Sequence, residues 1–113
     1  MEPFRNLCCI AASLTIACSA FGTPFGSDMH IEKGVKCESC HGQNKEIDSP
    51  SIKQCVVCHD PEQLVQKTKG LKPQNPHQSP HYGNQLDCVL CHVQHDEPEN
   101  YCNQCHSFNF KLK

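Results

Sequence analysis

Tryptophan is absent from this 113-residue chain, arginine occurs once, at Arg5, and alanine does not occur beyond residue 20. Of the 93 residues after position 20, only 21 are Val, Ile, Leu, Met, Phe or Tyr. A chain of this size buries a modest share of its surface, and small folds of this kind usually rely on a staple beyond side-chain packing. A self-sufficient apolar core is therefore not expected. No apolar run after residue 20 is long enough to span a bilayer, and no stretch alternates well enough to give a confident strand. Basic residues are also in short supply: the formal charge is −2. Nucleic acid is not an expected partner, because binding it needs a basic face. The one local basic cluster, Lys67, Lys69 and Lys72, reads first as a solvated face. A docking patch for an acidic partner is the sharper alternative.

Cysteine and histidine are abundant instead. The chain carries 11 cysteines and 8 histidines. Eight of the cysteines form four Cys-x-x-Cys-His motifs: Cys37–Cys40–His41, Cys55–Cys58–His59, Cys88–Cys91–His92 and Cys102–Cys105–His106. Two thiols two residues apart can add across the two vinyl groups of one haem. The following histidine then sits beneath the iron as its proximal ligand, the spacing of c-type haem attachment. Four such motifs in so short a chain predict four haem c groups, which would supply the missing core. Paired disulfides would use the cysteines but would not account for a histidine after every pair. A zinc protein with thiolate ligands leaves the same histidines and the leader segment unexplained.

The remaining three cysteines, Cys8, Cys9 and Cys18, lie in the N-terminal segment. That segment reads as an export signal over residues 1–20: Arg5 is its basic region, Leu7 to Ala20 its apolar run, and Cys18–Ser19–Ala20 an acceptable cleavage site. A retained anchor and a lipid attachment at Cys18 are the weaker alternatives. Cleavage would leave residues 21–113 as one tetrahaem domain, soluble and outside the cytoplasm, with no membrane insertion.

Four histidines lie outside the motifs: His30, His77, His81 and His95. Four haems need four distal ligands, so the count matches. His95 follows His92 by three residues. On a helical turn that is a rise of about 4.5 Å with both side chains on a similar face, so the two cannot take opposite sides of one porphyrin. His95 is therefore expected to serve a neighbouring haem, and His77 and His81, four apart, two different irons. Met29 is the other possible axial ligand type after residue 20, and methionine ligation would raise the potential. Ligation by histidine alone predicts low potentials and six-coordinate irons with no open position. A nitrite- or hydroxylamine-type reductase would instead need one of these four histidines off its iron.

Local structure is expected to be sparse. Asp60 fits an N-cap, Pro61 the first helical position and Gly70 the C-terminal cap of a helix through Gln63 to Lys69. Each motif is expected on a short helical turn. Residues 42–50 and 71–84 read as loops, and the motif intervals show no fixed long period.

The runs Asn75–Pro76–His77 to His81, Leu86–Asp87–Cys88 to His95 and Tyr101–Cys102 to Phe110 resemble the tetrahaem cytochrome domain of periplasmic flavocytochrome c fumarate reductases. They are similar also to the small tetrahaem cytochromes c. The likeness covers roughly residues 28–110, with His30 in the place of the first distal ligand. It implies a small multihaem cytochrome c, mostly irregular with short α-helices wrapped around four covalently bound haems. It implies an electron carrier rather than an enzyme, with no catalytic residue, serving anaerobic respiration. Its donor would be a membrane quinol dehydrogenase and its acceptor a flavoprotein or other periplasmic reductase. The spacing of His77 and His81 departs from the pattern by about one residue. No flavin domain follows within the 113 residues, so fumarate reduction by this polypeptide alone is not expected. The alternative role is that of a dedicated cytochrome subunit for a separate fumarate- or methacrylate-type flavoprotein, docking near Phe108–Asn109–Phe110.

Overall fold

A computed structural model describes residues 22–112; the expected export signal and Cys8, Cys9 and Cys18 lie outside the described residues. The described chain is mostly turns and irregular backbone carrying four short α-helices: α1 (Gly26–Glu32), α2 (Glu38–His41), α3 (Ile52–Cys55) and α4 (Pro61–Thr68). Two 3-10 turns follow, Cys88–Leu90 and Tyr101–Gln104. No strand occurs among the described residues, only an isolated antiparallel bridge between Ser79 and Gly83. No described helix is long and apolar enough to cross a membrane.

Helix α4 forms where the sequence signals it. The Asp60 carboxylate accepts the Glu62 N–H at 2.9 Å, and Pro61 takes the first position, where a missing N–H costs nothing. The helix ends otherwise than expected. Gly70 does not take a left-handed conformation; Lys69 stays helical at φ −56° and the Leu71 N–H closes a turn onto the Thr68 carbonyl at 2.9 Å. The chain then runs back along α4, because Asn75 Nδ2 donates to the Val65 carbonyl at 3.0 Å.

Helix α1 has no strong sequence signal. It is held from outside: the Ser27 N–H donates to the Gln94 carbonyl at 2.8 Å, and the Asp28 carboxylate accepts the Phe25 N–H at 2.9 Å. Gly26 allows this approach, since a Cβ there would stand 2.7 Å from the Gln94 side chain. The start of α1 is thereby pinned beside residues 92–95. Elsewhere α2 packs on α3, and α3 on the Cys88–Leu90 turn. The first three motif-bearing turns thus lie side by side in chain order.

An apolar core is nearly missing. Val65 is the one buried apolar side chain among the described residues, and no polar or charged side chain is buried. Ile31, Val56, Val57 and Leu90 stand open beside motif or histidine positions.

Candidate functional site

The four motifs share one backbone geometry. In each, the second cysteine N–H reaches the first cysteine carbonyl at 3.2 Å, for Cys40, Cys58, Cys91 and Cys105 alike. The histidine N–H reaches that same carbonyl at 2.9 Å for His41, His59 and His106 and at 2.7 Å for His92. Each motif is therefore one tight helical turn that presents two thiols and an imidazole together. All eight motif cysteines are free thiols, so no disulfide links them.

The histidines meet in pairs, and every pair joins one motif histidine to one outside the motifs. His30 faces His59 with ring centroids 6.1 Å apart. His41 faces His95 at 6.0 Å, His77 faces His92 at 6.2 Å, and His81 faces His106 at 6.1 Å. These separations have a simple meaning. With metal–imidazole bonds of about 2 Å and about 1 Å more to each ring centre, two ligands on opposite faces of one ion put their centroids about 6 Å apart. His92 and His95, three residues apart, belong to different pairs, as do His77 and His81. Met29 is 40% exposed on α1 and belongs to none of these pairs.

Hydrogen bonds orient several rings. His30 Nδ1 lies 2.8 Å from the Gly26 carbonyl, and His41 Nδ1 lies 2.7 Å from the Ile47 carbonyl. A carbonyl only accepts, so each Nδ1 carries its proton and each Nε2 lone pair is left for a metal. The reversal that brings Ile47 back to His41 passes through Gly42 at φ +78°, where a Cβ would collide with the Glu46 carboxylate.

His77 is held by a larger network. Its Nδ1 lies 3.0 Å from Thr68 Oγ1, while its N–H donates to Asn75 Oδ1 at 3.0 Å. Thr68 Oγ1 has one proton and two acceptors in reach, the Leu64 carbonyl and Asn75 Oδ1, each at 2.7 Å. Its proton is thus committed, and it accepts from His77 Nδ1. Burial first, then the neighbouring His92, lowers the His77 pKa, which favours the neutral ring. Thr68 and Asn75 were not legible as site residues; the signal available was an Asn two residues before a His, which reads as an Asx turn.

Thr68→Val keeps the shape of α4 and removes the acceptor. A part-buried N–H left without its partner costs about 1–3 kcal/mol. An imidazole that loses its acceptor also donates less electron density to any iron it binds, so a centre ligated by His77 would rise in potential. Thermal unfolding and a potentiometric titration of the holoprotein check both effects.

The thiols are crowded between motifs. Burial first, then the adjacent Cys88, pushes the Cys55 thiol up to about 12, with Asp87 and Cys40 adding to it. Burial also raises Cys91, against an opposing hydrogen bond from the Tyr101 backbone. A thioether carries no proton, so this penalty on the thiolate would vanish on attachment. A cavity of about 560 Å³ completes the fourth site: Cys102, Cys105, His106 and His81 all line it, with Tyr82 and Phe108. That volume is in the range of cofactor pockets.

Paired thiols on a turn, an imidazole beside them and a second imidazole opposite define a c-type cytochrome with several haems. The family comparison agrees: the cytochrome c3 family model matches residues 29–107. The chain belongs to that family and is a small multihaem cytochrome c, an electron-transfer protein. It is similar to the acrylate reductase cytochrome subunit of Shewanella woodyi, 39% identical over 87 residues, covering 74% of each chain. It is similar also to a probable fumarate reductase, Ifc3, of Shewanella frigidimarina, 37% identical over 92 residues, 79% of this chain. The match spans only 15% of that longer protein. No solved structure matches the chain.

Proposed function

We propose that this protein is a periplasmic relay of electrons built on four haem c groups, each held between two histidines. The observation that carries this reading is the set of four ring pairs, all at 6.0–6.2 Å and all combining a motif with a non-motif histidine. Cys37, Cys40, His41 and His95 would hold the first haem, and Cys55, Cys58, His59 and His30 the second. Cys88, Cys91, His92 and His77 would hold the third, and Cys102, Cys105, His106 and His81 the fourth. Bound haem supplies a one-electron Fe(III)/Fe(II) couple, while the chain sets ligation, burial and spacing. Two imidazoles per iron, with no methionine, favour low potentials. Two imidazoles on each iron would leave it no open position for a substrate, so the role in this reading is transfer rather than catalysis. The donor in this reading is a membrane quinol dehydrogenase and the acceptor a reductase of anaerobic respiration. Among the described residues no three potential ligand side chains converge as a zinc site needs; the histidines come in twos.

A second reading has specific support. The relative named as an acrylate reductase cytochrome subunit matches over 74% of its own length. This chain would then serve one flavoprotein reductase as its dedicated cytochrome subunit. Reduction of a flavoprotein from the same source, against reduction of several unrelated acceptors, separates the two roles.

The test of ligation is an electron paramagnetic resonance spectrum of the oxidised holoprotein, with its mass. The mass should exceed that of the processed chain by four haems, and every iron should be low-spin. One signal should stand apart. The His30 and His59 planes cross at 86°, whereas the other pairs lie at 29°, 4° and 31°. Near-parallel imidazoles donate into the same iron d orbital and split the pair; perpendicular ones donate equally and leave it nearly degenerate. The second haem is therefore expected to give one strongly anisotropic low-spin signal beside three rhombic ones. A high-spin iron in the unaltered protein would overturn the ligand assignment.

A further inference from the structure

Aromatic side chains are few, and they are unevenly placed. Of the five Phe and Tyr residues among the described residues, four gather at the His81–His106 pair; only Phe25 lies elsewhere. On one side Tyr82 meets the His81 ring edge-on at 6.1 Å and Tyr101 at 6.3 Å. On the other, Phe108 lies flat against His106, with centroids 4.6 Å apart and planes 7° from parallel, and Phe110 backs Phe108 at 5.3 Å.

The stack is built, not incidental. The Phe108 N–H donates to Asn103 Oδ1 at 2.9 Å, and its carbonyl accepts from Asn100 Nδ2 at 3.0 Å. Asn103 lies between the two cysteines of the fourth motif, so the turn that carries His106 also clamps the residue that covers it. No hydrogen bond to the His106 ring nitrogens occurs among the described residues, in contrast to His30, His41 and His77. Aromatic pairs in contact gain stability beyond the area they bury, on the scale of the hydrogen bonds this one would replace.

We propose that Phe108 is a positioning residue for His106, fixing the plane of the ring and covering one of its flat faces with apolar surface, where three other histidines use a hydrogen bond. The proposal rests on the reading of His106 as an axial ligand. Its consequence is electronic. An imidazole whose Nδ1–H is bonded to an acceptor pushes electron density toward iron and favours the ferric state. Among the described residues His106 has no such acceptor, and although its side chain is exposed, Phe108 covers one face of the ring with apolar surface that water would otherwise occupy, which disfavours the more highly charged ferric state. The fourth centre is thereby held easier to reduce than it would be with an open ring.

The test uses the holoprotein and its Phe108→Ala, Phe108→Tyr and Asn103→Ala variants. The readouts are electron paramagnetic resonance of the oxidised form and a redox titration resolved haem by haem by proton NMR. Phe108→Ala is expected to shift one low-spin signal of four and to lower the potential of that centre alone. Phe108→Tyr keeps the flat face and should restore both readouts to those of the unaltered protein. Asn103→Ala, which frees one side of the clamp, should give a smaller shift in the same direction, and it remains informative if Phe108→Ala does not mature. Four unchanged signals in Phe108→Ala and Asn103→Ala, or an equal shift of all four, would overturn the proposal. Failure of the axial reading itself looks different: a high-spin iron in the unaltered protein.

Discussion

Produced without haem attachment, the chain is expected to show the far-ultraviolet circular dichroism of an unfolded polypeptide and no cooperative thermal transition. The grounds are in the packing. Val65 is the one apolar side chain buried among the described residues. The helices have 7, 4, 4 and 8 residues. Isolated helices below about 12–15 residues are marginal in water even with favourable sequences. The hydrogen bonds are mostly local turns, worth about 1 kcal/mol each in net terms, set against about 1–2 kcal/mol of backbone entropy per ordered residue.

The deficit is what the cofactors must offset. A single aromatic side chain buries about 150–250 Å². A porphyrin is several times larger, so at about 25 cal/mol per Å² each one contributes on the order of 10 kcal/mol. That is the scale of the whole stability of an ordinary domain, about 5–15 kcal/mol. The apolar side chains left open beside the motifs, Ile31, Val56, Val57 and Leu90, are then the walls of the core rather than a sticky surface. A sigmoidal urea transition in the haem-free chain would show that the polypeptide holds a core of its own.

The same scarcity explains how far the sequence could be read. The attachment turns were legible because the chemistry dictates their spacing: two thiols, one imidazole, one turn. Helix α4 was legible because Asp60 and Pro61 are local signals that act within one turn. Its end was not, since Gly70 had a plausible cap role but the chain is turned by Asn75 and Thr68, residues that act across the loop. Helix α1 was not legible for a related reason. Phe25 and Gly26 are poor starting residues, and the helix is fixed by Gln94, far along the chain.

The histidine pairs show the limit most clearly. Sequence spacing carries an exclusion: neighbours on one turn cannot face each other. It carries no rule for which distant turn each histidine meets, because that depends on where the loops 42–50 and 71–84 lead. Phe108 was legible as part of an aromatic tail and as a possible docking edge; its stack on His106 depends on the Asn100 and Asn103 clamp.

Replacing His95 by alanine is expected to change the iron of the first motif and to leave that of the third untouched. In sequence His95 stands three residues after His92, and a reading by proximity would assign it to Cys88–Cys91–His92. In the structure its ring faces His41 of the first motif at 6.0 Å, while His92 is faced by His77 at 6.2 Å. His95→Ala should therefore turn one iron of four high-spin and let the reduced protein bind carbon monoxide at one per molecule. Proton NMR, which assigns each haem through contacts with its own motif, should place that iron at Cys37–Cys40–His41. His77→Ala should give the same count of high-spin iron but place it at the third motif, and the double variant should give two. If His95→Ala instead opened the third site, the crossing of the chain between motifs would be wrong. If it opened none, His95 would be a surface residue. The effect reaches past one centre, because a histidine that reaches from one motif to the iron of another ties two motif turns together. Losing it should lower the midpoint of thermal unfolding more than the loss of one exposed side chain, which is usually within about 0.5 kcal/mol.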